Sequence, residues 1–107
     1  KEGDVGFKTI KSKIIAALES GAFEHEARKT AIHHKNQLQM GIITTSFVIE
    51  LIKRSRGTDH TCTPHHQDQK LDVHVITQEG WYLKFYFLDP QAVFISVHPQ
   101  EHHEADI

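Results

Sequence analysis

The chain is short of the features that would place it quickly. It has one cysteine, Cys62, in 107 residues, so no internal disulfide can form and a reducing compartment is favoured. No apolar run approaches the roughly 20 residues needed to span a bilayer, and no signal-peptide pattern opens the sequence. These two readings lead us to expect a cytoplasmic protein with no membrane partner. A basic excess is missing as well: 12 Lys and Arg against 14 Asp and Glu leave a formal charge of −2. Nucleic-acid binders usually carry a basic footprint, so any such site here must be a local patch. What the chain has in excess is histidine, ten residues of it. Its net charge therefore climbs as pH falls below about 6.5, the ordinary imidazole value. The length predicts a single domain over residues 1–107 with one modest core.

The best-patterned stretch runs from Leu71 to His98. Three runs of alternating residues sort into two sets. Leu71, Val73, Val75, Trp81, Leu83, Phe85, Phe87, Val93, Ile95 and Val97 form the apolar set. Asp72, His74, Tyr82, Lys84, Tyr86, Ser96 and His98 form the other, interrupted by Ile76, Leu88 and Phe94. Successive strand side chains point to opposite faces, so the pattern predicts three half-buried strands with the first set facing a core. Gln78-Glu79-Gly80 and Asp89-Pro90-Gln91 read as the turns of two antiparallel hairpins.

Upstream the period changes to that of helices. Phe7, Ile10, Ile14, Ile15, Ala17 and Leu18 mark an amphipathic helix ending at Gly21, after a frayed lead-in over residues 1–6. Phe23 to Leu38 reads as a second, polar helix. A third is capped by Thr44 or Thr45, has Phe47, Val48, Leu51 and Ile52 as its stripe, and stops at Gly57. Thr58 to Lys70 has no period and reads as an exposed loop, and residues 99–107 as a loosely held tail. The expected fold is therefore α+β: two or three N-terminal helices packed on an antiparallel sheet of three or four strands.

This order of elements resembles a known family. A helix ending in Gly and a polar helix precede GIITTSFVIELI and a His-rich loop, and the chain closes with DVHV, GWYLKFYF and VFISVH. The sequence is similar in this to the MqsR-type toxins (the motility quorum-sensing regulator family) of the RelE-like ribonuclease superfamily. At residue level the likeness is concentrated in Gly80-Trp81-Tyr82-Leu83-Lys84 and in Val93 to Val97. It implies a RelE-like toxin domain that cleaves RNA and is held in check by an antitoxin or immunity protein. Tyr82 and Lys84 are the family's catalytic residues that carry over. The family's Trp-Gln-Asp-Val-Tyr segment stands here as Lys70-Leu71-Asp72-Val73-His74, so its glutamine has no counterpart. A toxin domain ending a larger secreted protein is a second setting for the same chemistry.

Metal-free RNA cleavage needs a base for the ribose 2′-hydroxyl, an acid for the leaving 5′-oxygen and a cation for the phosphorane charge. Tyr82, Lys84 and His98 are the first candidates, joined by His65 and His66 from the loop. Arg54, Arg56, His25, Arg28, His74 and Tyr86 are candidate RNA contacts. This reading requires neither a cofactor nor a metal. Two alternatives stand beside it. One is a non-enzymatic protein-binding module that docks a partner on the polar sheet face or an edge strand. The other is a metal-responsive regulator using His60, Cys62, His65 and His66, although their spacing matches no standard zinc pattern.

Overall fold

Phe7, Ile14, Ala17 and Leu18 recur at helical spacing, and that spacing decides how the first element packs. The computed structural model of the chain describes residues 2–26, 36–65 and 67–100, with side chains from Gly6 onward. Helix α1 spans Glu2–Ser20, so it begins inside the expected lead-in, and those four residues are buried on one face. It ends as the sequence predicts. Gly21 takes a φ of +79°, and the Ala22 N–H donates to Ala17 O at 2.9 Å, the Schellman pattern that satisfies a terminal carbonyl.

Phe23–His25 then forms a short strand, β1, rather than the start of a helix. The rest of the expected polar helix divides between residues 27–35, which lie outside the described residues, and bridge and turn structure at 36–40. Helix α2 covers Thr45–Arg54. Thr44 caps it, its hydroxyl oxygen accepting from the Phe47 N–H at 3.1 Å. The stop is Ser55 and not Gly57: the Ser55 hydroxyl donates to Leu51 O at 2.9 Å and its N–H to Ile52 O at 3.0 Å. Val48, Leu51 and Ile52 are buried, while Phe47 lies at the margin against Trp81. Lys11 of α1 joins the helices by donating to Lys53 O and Ser55 O at 2.8 and 2.9 Å.

A single turn at Gly57–Asp59 leads into β2 (His60–Pro64), followed by β3 (Asp72–Gln78), β4 (Trp81–Leu88) and β5 (Gln91–Pro99). Part of the expected loop is therefore a strand, and Pro99 belongs to β5 rather than to a tail; residues 101–107 lie outside the described residues. The sheet order is β1-β5-β4-β3-β2, antiparallel except for the β1–β5 pair. Among the described residues the chain is thus an α+β domain of two helices and a five-stranded, mostly antiparallel sheet. The β3–β4 hairpin closes in two residues, Glu79 and Gly80, with φ of 52° and 84°. Positive φ at both positions matches the twist of a tight hairpin.

The helices cover one face of the sheet. Ile76, Leu83, Phe85, Ala92, Phe94 and Val97 meet Phe7, Ile14, Leu18, Val48 and Ile52 there. Each large side chain so buried contributes about 1.5–3 kcal/mol. The expected face holds for β4 but not for its neighbours. On β3 the helix-facing residues are His74 and Ile76, while Val73, with Leu71, joins Tyr86, Val93 and Ile95 in a second cluster on the other side. On β5 the reason is a bulge: Lys84 pairs with Ser96 but Phe85 with Phe94, leaving Ile95 as the extra residue. One inserted residue reverses the phase, so Phe94 and Val97 both face the helices. Among the described residues no helix is long and apolar enough to cross a membrane.

Candidate functional site

The face turned away from the helices carries three cross-strand rows. Register pairs Thr77 with Tyr82 and Tyr82 with His98; the next row is Thr61, Val75, Lys84 and Ser96; Tyr86 and Val93 follow, with Val73 packed against them. Tyr82, Lys84 and His98 therefore come together as neighbours. The Tyr82 and His98 rings stack at 5.1 Å with 25° between their planes. All three side chains are partly exposed, whereas Ser96 is buried beside Lys84.

His98 is oriented by the backbone. Its Nδ1 lies 2.7 Å from Pro99 O. A carbonyl only accepts, so Nδ1 carries the hydrogen, and in the neutral ring Nε2 holds the free lone pair. An imidazole fixed in this way, next to a phenol and one row from an ammonium, has the parts for acid/base work on an anionic substrate.

The remaining candidates separate from this group. His74, expected to contact RNA, faces the helices and is buried against Phe85 and Phe87, with its Nδ1 3.0 Å from His60 Nε2. Burial, and then the His60 charge, lower its pKa to about 4. His25 also lies on the helix side, packed on Phe94 and 3.0 Å from Asn36 Nδ2, and burial lowers its pKa. Arg54 sits in the helix layer and holds Glu79 through two contacts at 2.6 and 3.1 Å, which raises its pKa. Arg56 is exposed just beyond α2. Arg28 and His66 lie outside the described residues.

His65 and Tyr86 do share the far face, but both are buried there, set perpendicular to each other at 5.1 Å. Glu26 joins them, with Oε2 3.5 Å from His65 Nε2. The sequence reading missed Glu26, since it falls in a stretch that reads as helix and meets His65 from 39 positions away. The loop proposed for metal divides instead: His60 and Cys62 lie on the helix-facing register of β2, and His65 on the opposite face. Among the described residues no three His, Cys, Asp or Glu side chains converge as metal ligands. Burial, and then the Asp72 charge, push the Cys62 thiol up, which disfavours the thiolate a nucleophile needs.

No protein-family model, curated protein or solved structure matches this chain.

Proposed function

We propose that the chain is a metal-independent endoribonuclease of the RelE-like, MqsR-type kind, acting in the cytoplasm as the toxin of a toxin–antitoxin or polymorphic toxin system. The observation that carries this reading is the stacked Tyr82–His98 pair with Lys84 in the adjoining row. The GWYLK motif, with Tyr82 and Lys84 at the family's catalytic positions, supports it. An antitoxin or immunity protein that covers this face is the partner the resemblance implies.

The chemistry follows from the hydrogen positions. His98 Nε2 takes the proton of a ribose 2′-hydroxyl, whose oxygen attacks the adjacent phosphorus. The bond to the 5′-oxygen breaks, and that oxygen takes a proton from the Tyr82 hydroxyl. Lys84 balances the charge gathered on the phosphorane. The products are a 2′,3′-cyclic phosphate and a 5′-hydroxyl. General acid–base assistance of this kind is worth about 10²–10⁴-fold per group.

Incubating purified protein with structured and unstructured RNA in EDTA tests the proposal. We expect cleavage to those two ends, weakened by Lys84→Ala and by Tyr82→Phe. RNA left intact at high protein concentration, together with no growth defect on expression, would sink it.

A further inference from the structure

Beyond Tyr86, at the end of this face away from Tyr82 and His98, side chains from the two margins of the sheet meet. Glu26 follows β1 at one margin, its N–H donating to Phe94 O at 2.9 Å. His65 follows β2 at the opposite margin, its N–H donating to Leu71 O at 2.8 Å. In a flat five-stranded sheet the outer strands stand roughly 19 Å apart, four spacings of about 4.8 Å, beyond the combined reach of a Glu and a His. Yet Nε2 and Oε2 lie 3.5 Å apart. The margins must therefore curl toward this face.

Three further features hold the contact in place. The Gln67 N–H donates to His65 Nδ1 at 3.0 Å, so the ring hydrogen sits on Nε2, facing the carboxylate. Leu71, Val73, Val93 and Ile95 pack with Tyr86 in one apolar cluster on this face, so the curled margin encloses dry side chains. His65 is only 5% exposed, which excludes direct reaction with a polymer but suits an internal tie. Tyr86, the ring on which His65 rests, is the next residue after Lys84 on the same strand face.

We infer that Glu26 is a positioning residue: the Glu26–His65 clasp holds the sheet curled around Tyr86 and so fixes where Lys84 meets the phosphate. Its consequence for catalysis rests on the nuclease reading above; its geometry does not. Loss of the carboxylate uncurls the margin and leaves Lys84, Tyr82 and His98 on the same face but misaligned. The reaction then suffers more than substrate capture does.

Amide hydrogen exchange and RNA cleavage in EDTA, measured on the wild type, Glu26→Ala and Glu26→Gln, test this. In Glu26→Ala the amides of His65 and Leu71 should exchange about tenfold faster while those of β4 and β5 hold. kcat should fall about tenfold with KM within twofold. Glu26→Gln, whose amide oxygen can take the place of the carboxylate oxygen 3.5 Å from Nε2, should recover most of both. Unchanged exchange at His65 and Leu71 overturns the clasp. Faster exchange with wild-type kcat overturns the positioning role. If the wild type cleaves no RNA, the nuclease reading falls by itself, and the exchange arm alone decides the clasp.

Discussion

Two imidazoles on the strands that flank β4 have opposite fates because they face opposite sides of one sheet. His74 on β3 points into the helix layer, covered by Phe85 and Phe87 and paired with His60, which itself packs on Phe7 at 5.0 Å. His98 on β5 points away, half-exposed against Tyr82, with its Nδ1 held by a carbonyl. The same ring is a packing unit on one side and a candidate base on the other. Residue type therefore tells little about a histidine here; the face it occupies tells most. Sharpening that contrast means showing that each ring fails in its own way when altered.

The largest effect belongs to His98. If its Nε2 is the base, His98→Ala should lower RNA cleavage by about 10²-fold or more while the thermal midpoint barely moves. His74→Ala should do the reverse, costing about 2–3 kcal/mol by leaving a cavity while specific activity at 20 °C is retained. Cleavage kinetics and urea melts on both variants separate the cases. Equal losses of activity would erase the distinction between the two faces.

Acid should break the helix side next. The folded pKa of His74 is about 4, below its ordinary value of 6.5, and that of His60 is lowered too, by burial. The unfolded chain therefore binds more protons than the folded one between those values, so stability rises with pH across the window. The contribution is full above about pH 6.5 and lost progressively toward pH 4, roughly 3 kcal/mol for His74. Urea midpoints from pH 4 to 7.5 should show the slope, and His74→Leu should flatten it. A flat wild-type profile would mean that the pair is not held neutral by the fold.

How much of this could be read from the residues differs strand by strand. β4 was fully legible, since Trp81, Leu83, Phe85 and Phe87 are apolar and Tyr82, Lys84 and Tyr86 are not. That alone put Tyr82 and Lys84 on one face, and Ser96 and His98 followed. β3 was not legible, because both of its phases carry apolar residues: Val73 and Val75 in one, Ile76 in the other. The larger apolar set pointed outward, with His74 inward. The bulge at Ile95 has no local signature, so the phase of β5 reversed unseen. β1 owes its existence to parallel pairing with β5, some 70 positions later, and three residues hold too little period to announce a strand. β2 is a mostly exposed edge whose polar sequence resembles a loop. Glu26 belongs to the same class of miss: its meaning comes only from the sheet bringing both margins together.

A smaller test addresses how the helix layer itself is joined. Lys11 carries its ammonium to Lys53 O and Ser55 O at the end of α2, where unsatisfied carbonyls and the helix dipole favour a cation. Lys11→Met keeps the stem and removes the donor, and should cost about 1 kcal/mol in a urea melt. It should leave cleavage unchanged, because α1 lies on the face opposite Lys84. A loss of activity without a loss of stability would tie the helices to the face that carries Lys84.

The smallest effect is expected at Arg54, and it asks whether cations in the helix layer help to bind RNA. Its guanidinium already holds Glu79 in a two-contact pair at the β3–β4 turn, with Glu50 a further 3.8 Å neighbour. To meet a phosphate it would have to leave a fitted carboxylate for an exposed, solvent-screened partner, with little net gain. Lys84 has no such competitor among the described ion pairs, and it lies in the row beside His98. Each phosphate neutralised on single-stranded RNA steepens the salt dependence of binding by about 0.7 in log–log slope. Lys84→Ala should therefore flatten the slope by about that amount, and Arg54→Ala should leave it where it is. If Arg54→Ala flattens it equally, the RNA path wraps the turn onto the helix side, and the two faces act together.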